Sequence, residues 1–264
     1  MKRTTLLVIL AAAVWGGAQP AVAAESPVPI TLRLYAGGGL RPAVEKLVSA
    51  FAGQTGICVE PDYGGSALIL ARAREDQQAD LFLPGDAWYV DRLQSLASNV
   101  AQRARIATFR PVIVVPRGNP KGVHGLADLA RGDLRVGLGN ADACQVGRVS
   151  KQILEQARIA IPKEKVQESL TVNELGVWVK MKAVDAAIVW DAIATNIAAD
   201  VQAIDLLPEQ RIVSDVVLAR LKTSPHPEAA QCFLDFAQSS AGRQVLAREG
   251  YCLPELSRLL PSQP

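Results

Sequence analysis

The chain has 264 residues, 49 % of them hydrophobic and 20 % charged, with 28 Lys and Arg set against 26 Asp and Glu. That balance provides no basic stripe for nucleic acid, and the apolar fraction is enough for a substantial core in one large domain or two lobes. Aromatic residues make up only 5 %, which argues against a cleft that stacks sugars or peptides.

The opening segment, "MKRTTLLVILAAAVWGGAQPAVAAES", places Lys2 and Arg3 before an apolar stretch from Leu6 to Val14 and a small-residue "AVAA" site. This pattern predicts a secretory signal peptide over residues 1–24, cut after Ala23 or Ala24. The apolar run is short for a ~30 Å hydrocarbon core, and no "LxxC" lipobox precedes the first cysteine. The expected product is an exported chain with no membrane insertion after cleavage. The signal holds two of the 28 basic residues and none of the 26 acids, so the rest is formally neutral at 26 against 26.

Beyond it, short apolar runs alternate with helical periodicity, the signature of an α/β fold. "TLRLYA" (31–36) reads as a strand ending in "GGGL", followed by a helix with Pro42 near its start. "ICVEPDY" (57–63) is a second strand closed by "GGS", and a helix runs from about Ala67 to Asp76. "ADLFLPGD" (79–86) is a strand and turn, and "AWYVDRLQSL" (87–96) a helix. "FRPVIVVPRGNP" (109–120) is a long apolar strand ended by a Gly-Asn-Pro turn. The alternation restarts with "LRVGLG" (134–139), a helix from about Gln145, "NELGVWVKMKAV" (173–184), and "DAAIVWDAIAT" (185–195), a buried strand turning into a helix. "RIVSDVVLARL" (211–221) is a second long strand and 227–251 is helical. Two long strands flanking a self-contained α/β block imply two crossings between lobes, one lobe of residues 25–110 and 220–264, the other of 111–219. A ligand then lies between them, near strand C-terminal ends.

Export permits disulfides. Cys232 and Cys252 flank a predicted helix and are expected to pair, closing a loop that stabilises by on the order of 3 kcal/mol. Cys58 and Cys144 are either buried thiols or face one cleft. No enzyme signature stands out: "GGSAL" around Ser66 is not a nucleophile elbow, His124 and His226 lie in Pro/Gly-rich loops, and no His-containing metal motif is present.

"GLGNADACQVGR" (137–148) is a glycine-punctuated turn entering a helix, a place where backbone N–H groups favour an anion. It nonetheless carries Asp142 and Cys144. Asp142 has four open readings: cap of the following helix, ligand to the central atom of an oxyanion, acceptor of a hydrogen bond from a protonated oxyanion, or ligand to a cation together with Asp191 and a cysteine thiolate.

The stretches "DYGGSALILARAREDQQADLFLPGDAWYVDRL", "FRPVIVVPRGNPKGVHGLADLA", "VDAAIVWDAIA" and "SPHPEAAQCFLDFAQSSAGRQVLAREGY" follow an order that resembles the periplasmic molybdate/tungstate-binding proteins of ABC transporters. The resemblance implies a two-lobed type 2 periplasmic binding protein fold, acting as a monomer without cofactor or covalent chemistry. It also implies a tetrahedral oxyanion ligand, molybdate or tungstate, held by N–H groups and hydroxyls and delivered to an ABC permease. Carried over by position, the ligand-binding loops fall on Gly38 and Gly39, Gly65 and Ser66, Gln145 and Val146, Val172, and Trp190, with Asp191 beside it. The family has a serine where Gly39 stands and often a tyrosine where Trp190 stands. The Asp142 turn is similar to an "N-x-D-x-P-C-G-Y-R" turn of archaeal-type tungstate-binding proteins, in which an aspartate completes an octahedral oxyanion. Asp142, Cys144 and Arg148 match it with a one-residue slip and no proline; Glu174 lies near, but offset from, their second carboxylate. Alternative roles are capture of a transition-metal ion or another oxyanion, and a periplasmic ligand-sensing subunit.

Overall fold

Two five-stranded sheets, each covered by helices, hold the two ends of a central cleft. The computed structural model describes residues 30–253; the expected signal peptide lies outside them. In chain order the elements are β1 (Thr31–Gly37), α1 (Arg41–Thr55), β2 (Cys58–Gly64), α2 (Ser66–Glu75), β3 (Leu81–Leu83), α3 (Ala87–Ala97) and β4 (Val100–Phe109). Next come β5 (Pro111–Pro116), β6 (Val136–Gly139), α4 (Gln145–Gln156), β7 (Val166–Ser169), α5 (Val172–Lys180), β8 (Ala186–Trp190), α6 (Asp191–Asn196) and β9 (Val201–Asp205). The chain closes with β10 (Ser214–Leu221), α7 (Pro227–Gln238) and α8 (Ser240–Arg248).

The first sheet has the order β2-β1-β3-β10-β4 and the second β7-β6-β8-β5-β9. In the first, β1 pairs in parallel with β2 and β3, while β10 runs antiparallel to β3 and β4. In the second, β6 is parallel to β7 and β8, and β5 antiparallel to β8 and β9. The chain leaves the first sheet at Phe109, crosses through Arg110 and enters the second at Pro111. It returns before Ser214, because β10 pairs along its whole length within the first sheet. The boundary expected between 219 and 220 therefore falls inside a strand.

Residue type explains the local choices. β8, "AAIVW", is buried at every position, as a central strand with helices on both faces must be. In α1 the apolar residues Ala43, Val44, Leu47 and Phe51 recur at helical spacing and are buried, the helix opens with Pro42 and it stops at Gly56, whose φ of 72° is the left-handed turn that glycine adopts freely. Phe51 meets Phe233 edge-on at 5.1 Å, and each fully buried ring of this kind contributes about 1.5–3 kcal/mol.

Three strands escape the sequence reading: β4, β7 and β9. Each lies at a sheet edge, where more than half of its positions are exposed or only partly buried and the apolar alternation is weak. The helix expected over 227–251 is two. It breaks at Ser239, whose Oγ accepts from Gly242 N at 3.2 Å as the cap of α8. A Cβ on Gly242 would stand 2.3 Å from Phe236 O, so only glycine allows the corner.

The expected Cys232–Cys252 disulfide is not formed: all four cysteines are free. Cys232 is exposed on α7, whereas Cys252 is bound to the first sheet through a bridge to Thr108, with Sγ 3.6 Å from Asp191 Oδ2. Cys144 is buried in the cavity wall, whereas Cys58 is exposed at the start of β2 beside Thr31, the strand end opposite the cavity-lining Gly64, so those two thiols do not face one cleft.

Candidate ligand cleft

Helix starts from both lobes converge on one small cavity. From the first lobe come the 3-10 turn Gly38–Leu40 and the start of α2 at Ser66; from the second come the starts of α4 at Gln145 and α5 at Val172. Their preceding residues are Gly37, Gly65, Cys144 and Thr171, and none gives its helix a side-chain cap. The first N–H groups of a helix have no partner within it, so these starts turn donors and positive dipole ends toward the cavity. By contrast α3, none of whose residues lines the cavity, has one of its first N–H groups answered by the side chain of Asp86, which accepts from Trp88 N at 2.8 Å.

The cavity offers about 30 Å³ to the centre of a water-sized sphere. One water needs ~10–15 Å³ on that measure, so the space suits a small polyatomic ion and not a sugar or peptide. No lining side chain is ionisable except the Cys144 thiol, which burial pushes up and keeps neutral. Ser66 is buried, and its Oγ accepts from Gly85 N at 3.3 Å, leaving its own proton free to donate. Gln145 reaches across the cleft, donating from Nε2 to Ser214 Oγ at 3.2 Å while its Oε1 accepts from Arg148 Nε at 3.2 Å. The Arg148 guanidinium lies 4.2 Å above the Trp88 ring of the first lobe.

The lobes are closed on each other. Ala67 N donates to Ala143 O at 3.2 Å, and Asn173 Nδ2 donates to Gly38 O at 2.8 Å. At the back of the cavity Phe109 and Trp190 stack with planes 5° apart and centroids 5.0 Å apart. Beside them Arg110, the crossing residue, holds Asp191 through Nε at 3.0 Å and its backbone N at 3.2 Å, while Asp191 N donates to Arg110 O at 2.9 Å.

Of the residues expected at the site, Gly38, Gly39, Gly65, Ser66, Cys144, Gln145, Val146, Val172 and Trp190 line this cavity. Asp142 and Asp191 do not. Asp142 is exposed on a turn in which Asn140 Oδ1 accepts from Asp142 N and Ala143 N, and it does not cap α4, whose cap residue is Cys144. Asp191 is spent on Arg110 at the crossing. The cation reading has no support in this arrangement: among the described residues no three His, Cys, Asp or Glu side chains gather as metal ligands. Glu174 is engaged by the Ser169 hydroxyl. Sequence reasoning missed Leu40, Gly64, Gly85, Phe109 and Thr171 in the lining; the "PGD" turn was the available signal for Gly85 and the place before a predicted helix that for Thr171.

The match to known proteins agrees with this geometry. Residues 32–252 match the family described as bacterial extracellular solute-binding protein. The chain belongs to that family. It is 31 % identical to a Haemophilus influenzae protein named only as a binding protein, over 83 % of this chain and 90 % of that one. It is 26 % identical to the molybdate-binding protein ModA of Mycobacterium bovis, over 84 % of each. Among solved structures, the sulfate-binding protein SubI of Mycobacterium tuberculosis superposes with a TM-score of 0.75 at 20 % identity, covering 86 % of this chain and 88 % of that one. This solute-binding protein thus shares the two-lobed α/β architecture of its relatives.

Proposed function

We propose that this solute-binding protein captures a small, fully deprotonated tetrahedral oxyanion, molybdate or tungstate foremost, and presents it to an ABC permease from the periplasm. One observation carries the reading: a cavity of ion size ringed by uncapped helix starts from both lobes, with no ionised side chain in its wall. A dianion of this kind has acceptors only, so its complement is a set of donors. Aligned N–H groups supply them without a counter-charge that would have to be desolvated. Ser66 adds a hydroxyl donor. The 26 % identity to a molybdate-binding protein supports the same ligand class.

The protein performs no covalent chemistry in this reading. Binding is closure of two lobes about the Phe109–Pro111 crossing and its return before Ser214, with the anion favouring the closed state through contacts to both. A thermal-shift panel and calorimetry on the purified protein test it, using molybdate, tungstate, sulfate, phosphate and divalent cations. Molybdate and tungstate are expected to raise the melting temperature by binding the native state alone. Stabilisation by a divalent cation and by none of the oxyanions would overturn the proposal.

A further inference from the structure

The turn after β1 is gripped from two sides. Asn173, on α5 of the second lobe, donates from Nδ2 to Gly38 O at 2.8 Å. Tyr251, in the segment after α8, donates its hydroxyl to Gly39 O at 2.9 Å. Every peptide here is trans, and in a trans peptide C=O and N–H point in opposite directions. The Asn173 bond therefore fixes the unit that carries the Gly39 N–H, and the Tyr251 bond fixes the unit that carries the Leu40 N–H. Gly39 and Leu40 both line the cavity, in a 3-10 turn whose Gly38 carbonyl also accepts from Arg41 N. A hydrogen bond accepted by a carbonyl polarises its amide and strengthens the N–H at the other end. Neither Asn173 nor Tyr251 lines the cavity itself.

The two grips differ in their dependence on closure. Tyr251 belongs with the first lobe: its ring packs on Phe109 at 5.4 Å, and the next residue accepts from Thr108 N at 2.8 Å through its carbonyl. Burial pushes the phenol up, so the donor proton stays in place at neutral pH. Asn173 reaches Gly38 across the cleft, so its bond exists only when the lobes are shut.

We propose that Asn173 and Tyr251 are positioning residues that aim and strengthen the Gly39 and Leu40 N–H donors, and that the Asn173 bond couples this strengthening to closure. The proposal rests on the reading of the cavity as an anion site. It makes the closed state a better donor set than the open one before any ligand contact is counted, which biases the equilibrium toward closure when the anion is present.

The test uses the full chain and its variants Asn173→Ala, Asn173→Leu and Tyr251→Phe, titrated with sodium molybdate and sodium tungstate. Affinity, release rate, unliganded melting temperature and the amide shifts of Gly39 and Leu40 are measured. Each variant is expected to bind roughly five- to tenfold more weakly, the scale of one lost hydrogen bond. The Asn173 variants act chiefly through faster release and move the Gly39 amide of the bound form; Tyr251→Phe moves the Leu40 amide with or without ligand. Affinities and release rates within about twofold of the parent would overturn the inference alone. So would weaker binding with both amides unmoved, since that marks a merely structural role. A parent protein that binds neither oxyanion would overturn the reading of the cavity and this inference with it.

Discussion

Gly39 and Val172 face each other across the cleft so closely that a Cβ on Gly39 would stand 2.7 Å from Val172 Cγ1. The two residues belong to different lobes, so any side chain at position 39 would collide with Val172 in the shut cleft. It also accounts for a departure from the resembled family, which carries serine where Gly39 stands: a β-branched neighbour with one preferred rotamer has little room to yield. Gly39→Ser is expected to weaken oxyanion binding at least tenfold, despite the added hydroxyl. Val172→Ala in the same chain should recover most of the loss. Calorimetry decides it, and unaltered affinity in the single variant would show that the contact does not limit closure.

Gly65 makes the same point with backbone. A Cβ there would lie 2.8 Å from Ala143 O and 2.9 Å from Leu170 O, both in the opposite lobe. Gly65 has φ −62° and ψ 149°, which alanine adopts without strain. Gly65→Ala should therefore fold with a melting temperature close to the parent's yet lose the ligand-induced rise and the compaction on binding seen by small-angle scattering. A variant that still closes on molybdate would contradict the geometry.

Asp142 is exposed and outside the cavity lining. Asp142→Ala is expected to leave affinity for molybdate and tungstate within about twofold. A tenfold loss would instead favour an aspartate-completed, six-coordinate oxyanion.

Asp185 gives a pH prediction. Its carboxylate accepts from Arg135 N at 2.8 Å and from the guanidinium at 3.1 and 2.9 Å, and the Arg135 hydrogen bond holds it below the ordinary value of 3.8. A depressed carboxyl contributes stability that is complete above the unfolded value and lost as pH falls through the folded one. Asp185→Asn should thus cost about 1 kcal/mol at pH 7 in denaturant unfolding, with the difference from the parent shrinking as the pH drops below 3.8. A gap that is constant with pH would assign the effect to packing.

The free cysteines are checked by thiol counting. All four should react with a thiol reagent after unfolding without reductant, and Cys232→Ser should leave the melting temperature unchanged. A loss of several degrees that reductant reproduces in the parent would restore the disulfide.

The sequence by itself determined the α/β alternation, the central strands and nine of the fifteen residues in the cavity wall. Those features rest on local signals: continuous apolar runs such as "AAIVW", and glycine or serine at strand-to-helix turns such as Gly38, Gly65 and Ser66. Edge strands β4, β7 and β9 were hidden because their burial depends on one neighbour only. The roles of the charged residues were likewise decided by the tertiary structure alone. Asp142 and Asp191 read alike as acids at helix starts, yet one faces solvent and the other is held by Arg110. Cys252 lies beside Asp191 and not Cys232. The grips of Asn173 and Tyr251 on Gly38 and Gly39 join residues 135 and 212 positions apart. Periodicity reports which face of an element is buried; which distant group meets it there is set by how the sheets and lobes pack.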